Sequence, residues 1–510
     1  MNNNYYITTP IYYPSGSPHI GHAYSSIFAD VFARFNRNDK KNVFFLTGTD
    51  EHGLKIQRSA EKNNLKPKEY CDKISKVFLD FNKKLNLSNN DFIRTTEKRH
   101  HLAVIDLWNR LLKSGDIYLS KYKGWYSVSD EAYYQPEEIT EKNGKSYSTF
   151  SGSQVEWVEE DSFFFKLSSW EKKLLEFYDK NPGFINPETR RNEVISFVKG
   201  GLKDLSVSRT SFTWGIKVPN NTKHVIYVWL DALTNYLSAL NYPDNENKLY
   251  KTFWPATLHI IGKDILRFHA VYWPAFLLAA NIKLPERIFS HGWILSGDEK
   301  MSKSKGNILD PIEVIDKYGV DQIRYYLMKE VSHGSDGNIS LKSLENCINS
   351  DLANNFGNLC QRIFSFIKNN CKNEVLKNNN ISLNDKKFIK QTEDLTKNLK
   401  TEMSNQNLNS YIKSVIKISF LTNKYINDEE PWKLKKTDLD KMNNILHISL
   451  DHIAKIAILL NPIIPLSTTK VLDALNLKTK DRNLSFLESK TLLDDKVIIN
   501  NLEILFKKTD

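Results

Sequence analysis

The sequence predicts an α/β protein that ends in a helical part, and three observations carry that reading. Short β-like runs alternate with helical patterns over residues 1–115. An irregular, aromatic-rich stretch then breaks the rhythm, which resumes near residue 223. From about Leu344 onward only helical periodicity remains.

Each element follows from a local pattern. Tyr5-Tyr6-Ile7-Thr8 reads as a strand, and Pro14-Ser15-Gly16-Ser17-Pro18 as the turn after it. Ile20, Tyr24, Ile27, Val31 and Phe35 then recur at helical spacing. Val43-Phe44-Phe45-Leu46 is a second buried strand, running into Thr47-Gly48-Thr49-Asp50-Glu51-His52-Gly53. Strand, helix and strand in this order imply a parallel sheet of the Rossmann type. Residues 116–222, with Trp125-Tyr126, Phe163-Phe164-Phe165 and Trp214-Gly215-Ile216, read as an inserted connective module. The α/β pattern is expected to resume at Val225-Ile226-Tyr227-Val228-Trp229 and again at Leu258-His259-Ile260-Ile261-Gly262. Leu352, Phe356, Leu359 and Ile363 mark one apolar helical stripe; Ile445, Ile448, Ile453, Ile456 and Leu460 mark a longer one. The expected division is therefore a Rossmann domain in two halves, 1–115 and 223–292, split by the module 116–222. A loop region, 293–343, and an α-helical bundle, 344–510, follow.

At 510 residues the chain needs several packing units, since single domains cluster at about 100–200 residues. No apolar run reaches the roughly 18 residues needed to span a bilayer, and the N-terminus lacks a secretory pattern. Cys71, Cys347, Cys360 and Cys371 are scattered without a C-x-x-C pair, which argues against a zinc site or a disulfide framework. Reduced thiols in a cytoplasmic protein are the expectation. The net charge of +11 suits a polyanionic partner, although Lys and Asn are abundant everywhere, so charge alone decides little.

Two motifs carry the chemistry. Pro18-His19-Ile20-Gly21-His22 lies between the first strand and the first long helix. A helix N-terminus beyond the carboxyl end of a parallel strand offers free N–H groups to an anion, and two histidines can add donors. Gly21 removes a side chain where a flat base needs close approach. Far downstream, Lys300-Met301-Ser302-Lys303-Ser304-Lys305-Gly306 is a cationic loop able to close over a polyphosphate. Alone, the first is more often a structural pair of histidines and the second a solvated basic loop.

Together, in this order and α/β context, the two motifs resemble the signatures of class I aminoacyl-tRNA synthetases. Further segments narrow the resemblance to the methionyl-tRNA synthetase family: Thr8-Thr9-Pro10-Ile11-Tyr12-Tyr13-Pro14, Gly48-Thr49-Asp50-Glu51-His52-Gly53, Tyr227-Val228-Trp229-Leu230-Asp231-Ala232-Leu233-Thr234-Asn235-Tyr236 and Ile261-Gly262-Lys263-Asp264-Ile265-Leu266-Arg267-Phe268-His269. The resemblance implies that Asp50 holds the α-ammonium of methionine. It sets Ile11, Tyr13, Trp229, Ala232, Leu233, Tyr236, Ile261, Ile265 and His269 around the thioether. Aromatic faces suit a polarizable sulfur, while core packing is the plainer reading of Trp229 and Tyr236. In the helical part, Asn358, Arg362 and Trp432 match family positions that read the CAU anticodon. Unstacked bases want an aromatic face and hydrogen-bond donors, although Pro431-Trp432 also suits a helix cap.

Many family members carry zinc-binding cysteine knuckles in the insertion. Here the span 116–222 has no cysteine, so the chain resembles the zinc-free type and any knuckle there is expected to be held by packing alone. The chain also lacks an appended dimerisation domain, which favours a monomer. The implied reaction uses methionine, ATP with Mg2+, and tRNA(Met), with no structural zinc and no membrane. Methionine attacks the α-phosphate of ATP to give the adenylate, and the terminal tRNA ribose then takes the methionyl group. His19 and His22 would serve the phosphates, Lys300 and Lys303 the leaving pyrophosphate. Another class I synthetase and a non-catalytic tRNA-binding relative remain as alternatives. Against the branched-chain enzymes, 510 residues leave no room for an editing insertion, and against the cysteine enzyme, the pocket lacks zinc-ligand cysteines.

Overall fold

The computed structural model describes residues 3–509 except 15, 129, 131, 135, 297–298, 301–309, 332–333, 378–380 and 490–491. At its centre a six-stranded sheet is parallel at every pairing. Its strands are β1 (Asn4–Tyr12), β2 (Asn42–Thr49), β3 (Asp91–Arg94), β4 (Ile185–Asn186), β5 (Leu258–Gly262) and β6 (Ile288–His291). They lie in the order β3-β2-β1-β5-β6-β4. The winding reverses between β1 and β5, and the connections leaving those strands part there. The crevice this opens beyond the strand ends is where ligands bind in such sheets.

Both faces of the sheet are covered, so its strands are apolar on both sides. Tyr5 and Ile7 of β1 join one core with helix α1 (Ile20–Asn38), while Tyr6 between them joins the other with Leu107 and Trp108 of α2 (Lys98–Lys113). Pairing between β1 and β2 slips between Thr8 and Ile11. Pro10 sits in that slip, where its missing N–H costs the ladder nothing, and the bulge re-aims the residues after it.

The span 116–222 differs from the sheet in kind. The long strands Ile117–Ser127 and Glu156–Phe165 pair antiparallel within a four-stranded sheet. Its knuckle region is not held by packing alone. The Asp130 carboxylate accepts from Tyr134 Oη at 2.8 Å, Ser151 Oγ at 2.5 Å and Ser153 Oγ at 2.8 Å, a polar knot joining two hairpins. The same span also supplies β4 to the parallel sheet. The expected strand at Val225–Trp229 is corrected as well. Asn221–Ile226 is the central strand of a three-stranded antiparallel sheet, and the chain passes at Val228 into the helix Val228–Leu233. A short apolar run does not distinguish a strand from a buried helix start.

Beyond residue 344 the chain is chiefly helical, built on α3 (Asn358–Asn370), α4 (Leu408–Glu429) and α5 (Leu439–Leu460). The strands Glu374–Leu376 and Lys496–Ile498 add a two-stranded pair that periodicity did not show. Both apolar stripes are buried as the pattern requires. This part packs directly on α1. Phe35 meets the Tyr411 ring edge-on at 5.6 Å, and Arg324 donates to Asp30 Oδ2 at 2.6 Å and to the Ile463 carbonyl at 2.8 Å.

Candidate active site

The crevice between β1 and β5 holds a cavity of about 450 Å3. The helix α1 presents its N-terminus to it, and the His19–His22 pair builds that end. His19 is the N-cap: its Nδ1 accepts from the Gly21 N–H at 3.1 Å, while its own N–H donates to His22 Nδ1 at 3.1 Å. This is a capping box in which both partners are imidazoles. Each Nδ1 is an acceptor, so in the neutral rings the proton sits on Nε2, away from the helix. The rings lie 3.8 Å apart, and burial, helped by the His19 ring, holds the His22 imidazole well below its usual range. His22 thus reaches neutral pH uncharged with an N–H donor to spare. A Cβ at Gly21 would stand 3.0 Å from His19 Cε1, so glycine is what lets the ring fold back.

Opposite this end lies the chamber side of the cavity. Asp50 directly follows β2 and is 6% exposed. Tyr13, brought round by the β1 bulge, donates through its hydroxyl to the His52 carbonyl at 3.0 Å. Trp229, Ala232, Leu233 and Tyr236 come from the helical turns that follow the antiparallel sheet; Ile265 and His269 follow β5. His269 Nδ1 donates to the Ile265 carbonyl at 3.0 Å, leaving Nε2 to accept from the Tyr236 hydroxyl at 2.7 Å. Burial lowers the His269 pKa to about 4, so this imidazole is neutral at pH 7. Trp229 stacks on Phe268 with ring centres 3.6 Å apart. The wall is chiefly aromatic and aliphatic, with Asp50 its buried carboxylate: a chamber for a small amino acid with an apolar, polarizable side chain.

The sequence-derived residues thus converge, with exceptions. Ile11, Tyr13, His19, Gly21, His22, Asp50, Trp229, Ala232, Leu233, Tyr236, Ile265 and His269 all line this cavity. Ile261 is fully buried in the core beneath it and is not part of the lining. Only the backbone of Lys300 is described, paired with Leu295 in a short hairpin. Lys303 lies outside the described residues. Among residues the sequence reading missed, His291, the last residue of β6, and Trp293, two residues on, line the cavity. His291 Nδ1 donates to the Gly292 carbonyl at 2.8 Å, and its Nε2 accepts from Ser25 Oγ at 2.7 Å, tying β6 to α1. The signal was present: Ile288-Phe289-Ser290 is a buried β-run, and residues past a parallel strand's carboxyl end face the crevice.

Far along the chain, Asn358 and Arg362 share one face of α3, and Trp432 follows α4 after a left-handed turn at Glu430 with φ +43°. The Arg362 guanidinium lies 5.6 Å from the Trp432 ring centre and donates to Asn427 Oδ1 at 2.8 Å. Asn358 and Arg362 line a groove of about 810 Å3 with Lys417 and Phe420, two residues the sequence reading did not single out.

Comparison with known proteins meets the chain on both parts. The family of class I tRNA synthetases (M) matches residues 5–364, and the anticodon binding domain of methionyl tRNA ligase matches 375–510. The fold is therefore that of a class I aminoacyl-tRNA synthetase. The methionine–tRNA ligase of Rickettsia typhi is 51% identical over 485 residues, 94% of this chain and 95% of its own length. That of Rickettsia felis is 52% identical, covering 94% of each. Mycobacterium tuberculosis methionyl-tRNA synthetase in complex with methionyl-adenylate superposes with a TM-score of 0.96 at 42% identity, covering 99% of both chains. Its free state gives 0.89 at 39% identity, over 99% of this chain and 98% of that one. The chain belongs to the methionyl-tRNA synthetase family, the ligases that activate methionine with ATP and load it onto tRNA.

Proposed function

We propose that the cavity divides the first step between its two ends: Asp50 and the aromatic chamber take methionine, and the histidine-capped helix takes ATP. The observation that carries this is the His19–His22 capping box, which sets two imidazoles at a helix N-terminus lining the same cavity as the buried Asp50 carboxylate. Asp50 pairs with the α-ammonium, which leaves the methionine carboxylate, already ionised at neutral pH, to attack the α-phosphate. Both imidazoles and the helix end meet the negative charge that grows on the phosphates. Orientation then does most of the remaining work, because no base is needed. Lys300 and Lys303 serve the departing pyrophosphate. In the second step the terminal ribose hydroxyl of tRNA attacks the methionyl carbonyl and AMP leaves.

Magnesium arrives with the nucleotide on this reading and neutralises phosphate charge there. Among the described residues no group of three or more His, Cys, Asp or Glu is placed to hold a metal by itself. Anticodon bases stack on Trp432 and meet Arg362 and Asn358, with Lys417 and Phe420 extending the contact along the groove. The same reading makes the protein a cytoplasmic monomer specific for tRNA(Met), including the initiator; no described helix is long and apolar enough to cross a membrane.

The test is rapid-quench measurement of adenylate formation in Lys303→Ala and His22→Ala. Each is expected to slow the chemical step by about 10²–10³-fold, the size of one lost charge-stabilising donor, with methionine affinity unchanged. An unchanged adenylation rate in both variants would remove these residues from the mechanism.

A further inference from the structure

Beneath the chamber, where the two walls of the amino-acid site back onto each other, lies a buried ionic cluster that the reaction itself does not use. Asp231 is fully buried. Its Oδ2 accepts from His52 Nδ1 at 2.6 Å, and its Oδ1 accepts from His100 Nε2 at 2.7 Å. His100 continues through Nδ1 to Ser238 Oγ at 2.9 Å. Burial alone would raise the carboxyl, yet the two imidazoles outweigh it and hold Asp231 well below the usual carboxylate range.

A carboxylate taken out of water costs several kcal/mol unless well paired, so a buried one is poor stabilising material by itself. Its placement is more telling than its energy. His52 stands two residues after Asp50, and its carbonyl receives the Tyr13 hydroxyl. Asp231 stands two residues after Trp229 and directly before Ala232 and Leu233. His100 belongs to α2, a rigid helix packed on the back of the sheet. The carboxylate therefore has one oxygen on the Asp50–Tyr13 wall and the other on the scaffold, while its own backbone carries the Trp229–Leu233 wall.

We propose that Asp231 is a positioning residue for amino-acid selection, whose bridge from His52 to His100 fixes the separation of the two chamber walls. The inference rests on reading this chamber as the methionine site. Loosening the bridge shifts Asp50 relative to the apolar wall, which weakens methionine capture and leaves the histidine-capped nucleotide end untouched. A shift near 1 Å in such a constellation costs up to about 100-fold.

The experiment is ATP–pyrophosphate exchange with the full chain in Asp231→Asn, His52→Ala and His52→Asn, alongside Asp50→Ala, with the folded fraction of each followed by circular dichroism. Asparagine at 52 keeps a donor close to the place of Nδ1. Expected are a rise of about tenfold or more in the methionine KM for Asp231→Asn and His52→Ala, an ATP KM within about twofold of the parent, and recovery in His52→Asn. Proportional changes in both KM values, or a His52→Asn variant no better than alanine, would reduce the cluster to a structural role and overturn the proposal. If Asp50→Ala raises the methionine KM and Asp231→Asn does not, only this inference fails. If Asp50→Ala also leaves it unchanged, the chamber reading fails first.

Discussion

Where the cavity draws Asp50, Trp229, Tyr236 and His269 from separate segments and closes Asp50, Tyr236 and His269 off from water, the surface bearing Asn358, Arg362 and Trp432 uses two neighbouring helical stretches and leaves Trp432 40% exposed. The cavity is held by contacts between parts of the chain hundreds of residues apart, such as Ser25 with His291 and His52 with Asp231. The surface bearing Asn358, Arg362 and Trp432 is held mainly within the helical part, through Arg362 with Asn427 and Asn355 with Ser419. A small ligand that must be told from near neighbours needs enclosure, because apolar pockets discriminate only by fit. A nucleic-acid loop brings its own shape and asks for stacking faces and donors on an accessible surface.

The contrast yields graded predictions. The largest effect belongs to the enclosed site: Asp50→Ala is expected to lower methionine-dependent exchange kcat/KM by about 10²–10³-fold, the cost of leaving one charge unpaired in a buried contact. A drop that neither formate rescue nor raised methionine can touch would instead mark a folding defect. Next comes the joint between the two regions. Arg324→Ala takes from Asp30 one of its two guanidinium partners, leaving Arg34 and Ser88, and removes donors to the Pro462 and Ile463 carbonyls, so urea unfolding should show a loss of about 2–4 kcal/mol. A surface-sized change there would mean that the two parts hold together without the ion pair.

Trp432→Ala probes the open surface. Losing one stacking face should raise the tRNA KM in aminoacylation by the equivalent of about 1–3 kcal/mol while exchange without tRNA stays unchanged. The smallest effect compares one histidine from each region. His269 and His452 share one arrangement: Nδ1 donates to the carbonyl four residues back, and Nε2 accepts from a buried hydroxyl, of Tyr236 or Thr392. Burial lowers each pKa to about 4, against roughly 6.5 in the unfolded chain. The unfolded state therefore binds the proton first, and the stability present above pH 6.5 drains as pH falls toward 4. Each contributes a loss of about 1 kcal/mol by pH 5.5, and His452→Gln should remove its share from urea curves taken at pH 7 and 5.5.

Much of this was legible in the residues because the site chemistry is carried by unusual types at strand ends. His19-Ile20-Gly21-His22 and Asp50 stand beside clear periodic elements, and the parallel sheet they flank follows from alternation alone. What stayed hidden depends on contacts distant in sequence. That Val225–Ile226 would join an antiparallel sheet rather than the parallel one depends on its pairing with residues 208–209 and 217–218. That Ile185–Asn186 would become an edge strand depends on β6, some hundred residues away. The Asp130 knot is invisible because serines and tyrosines near an aspartate are ordinary surface composition until the hairpins bring them together. His22's neutrality follows from burial behind Tyr12 and Phe78, which no linear pattern states.

The most direct test of the account is ATP–pyrophosphate exchange by the purified protein across a panel of amino acids without tRNA. Exchange that depends on methionine, with near-isosteres such as leucine and norleucine far behind, is the predicted result. Equal or better exchange with another amino acid would contradict the chamber assignment at its root.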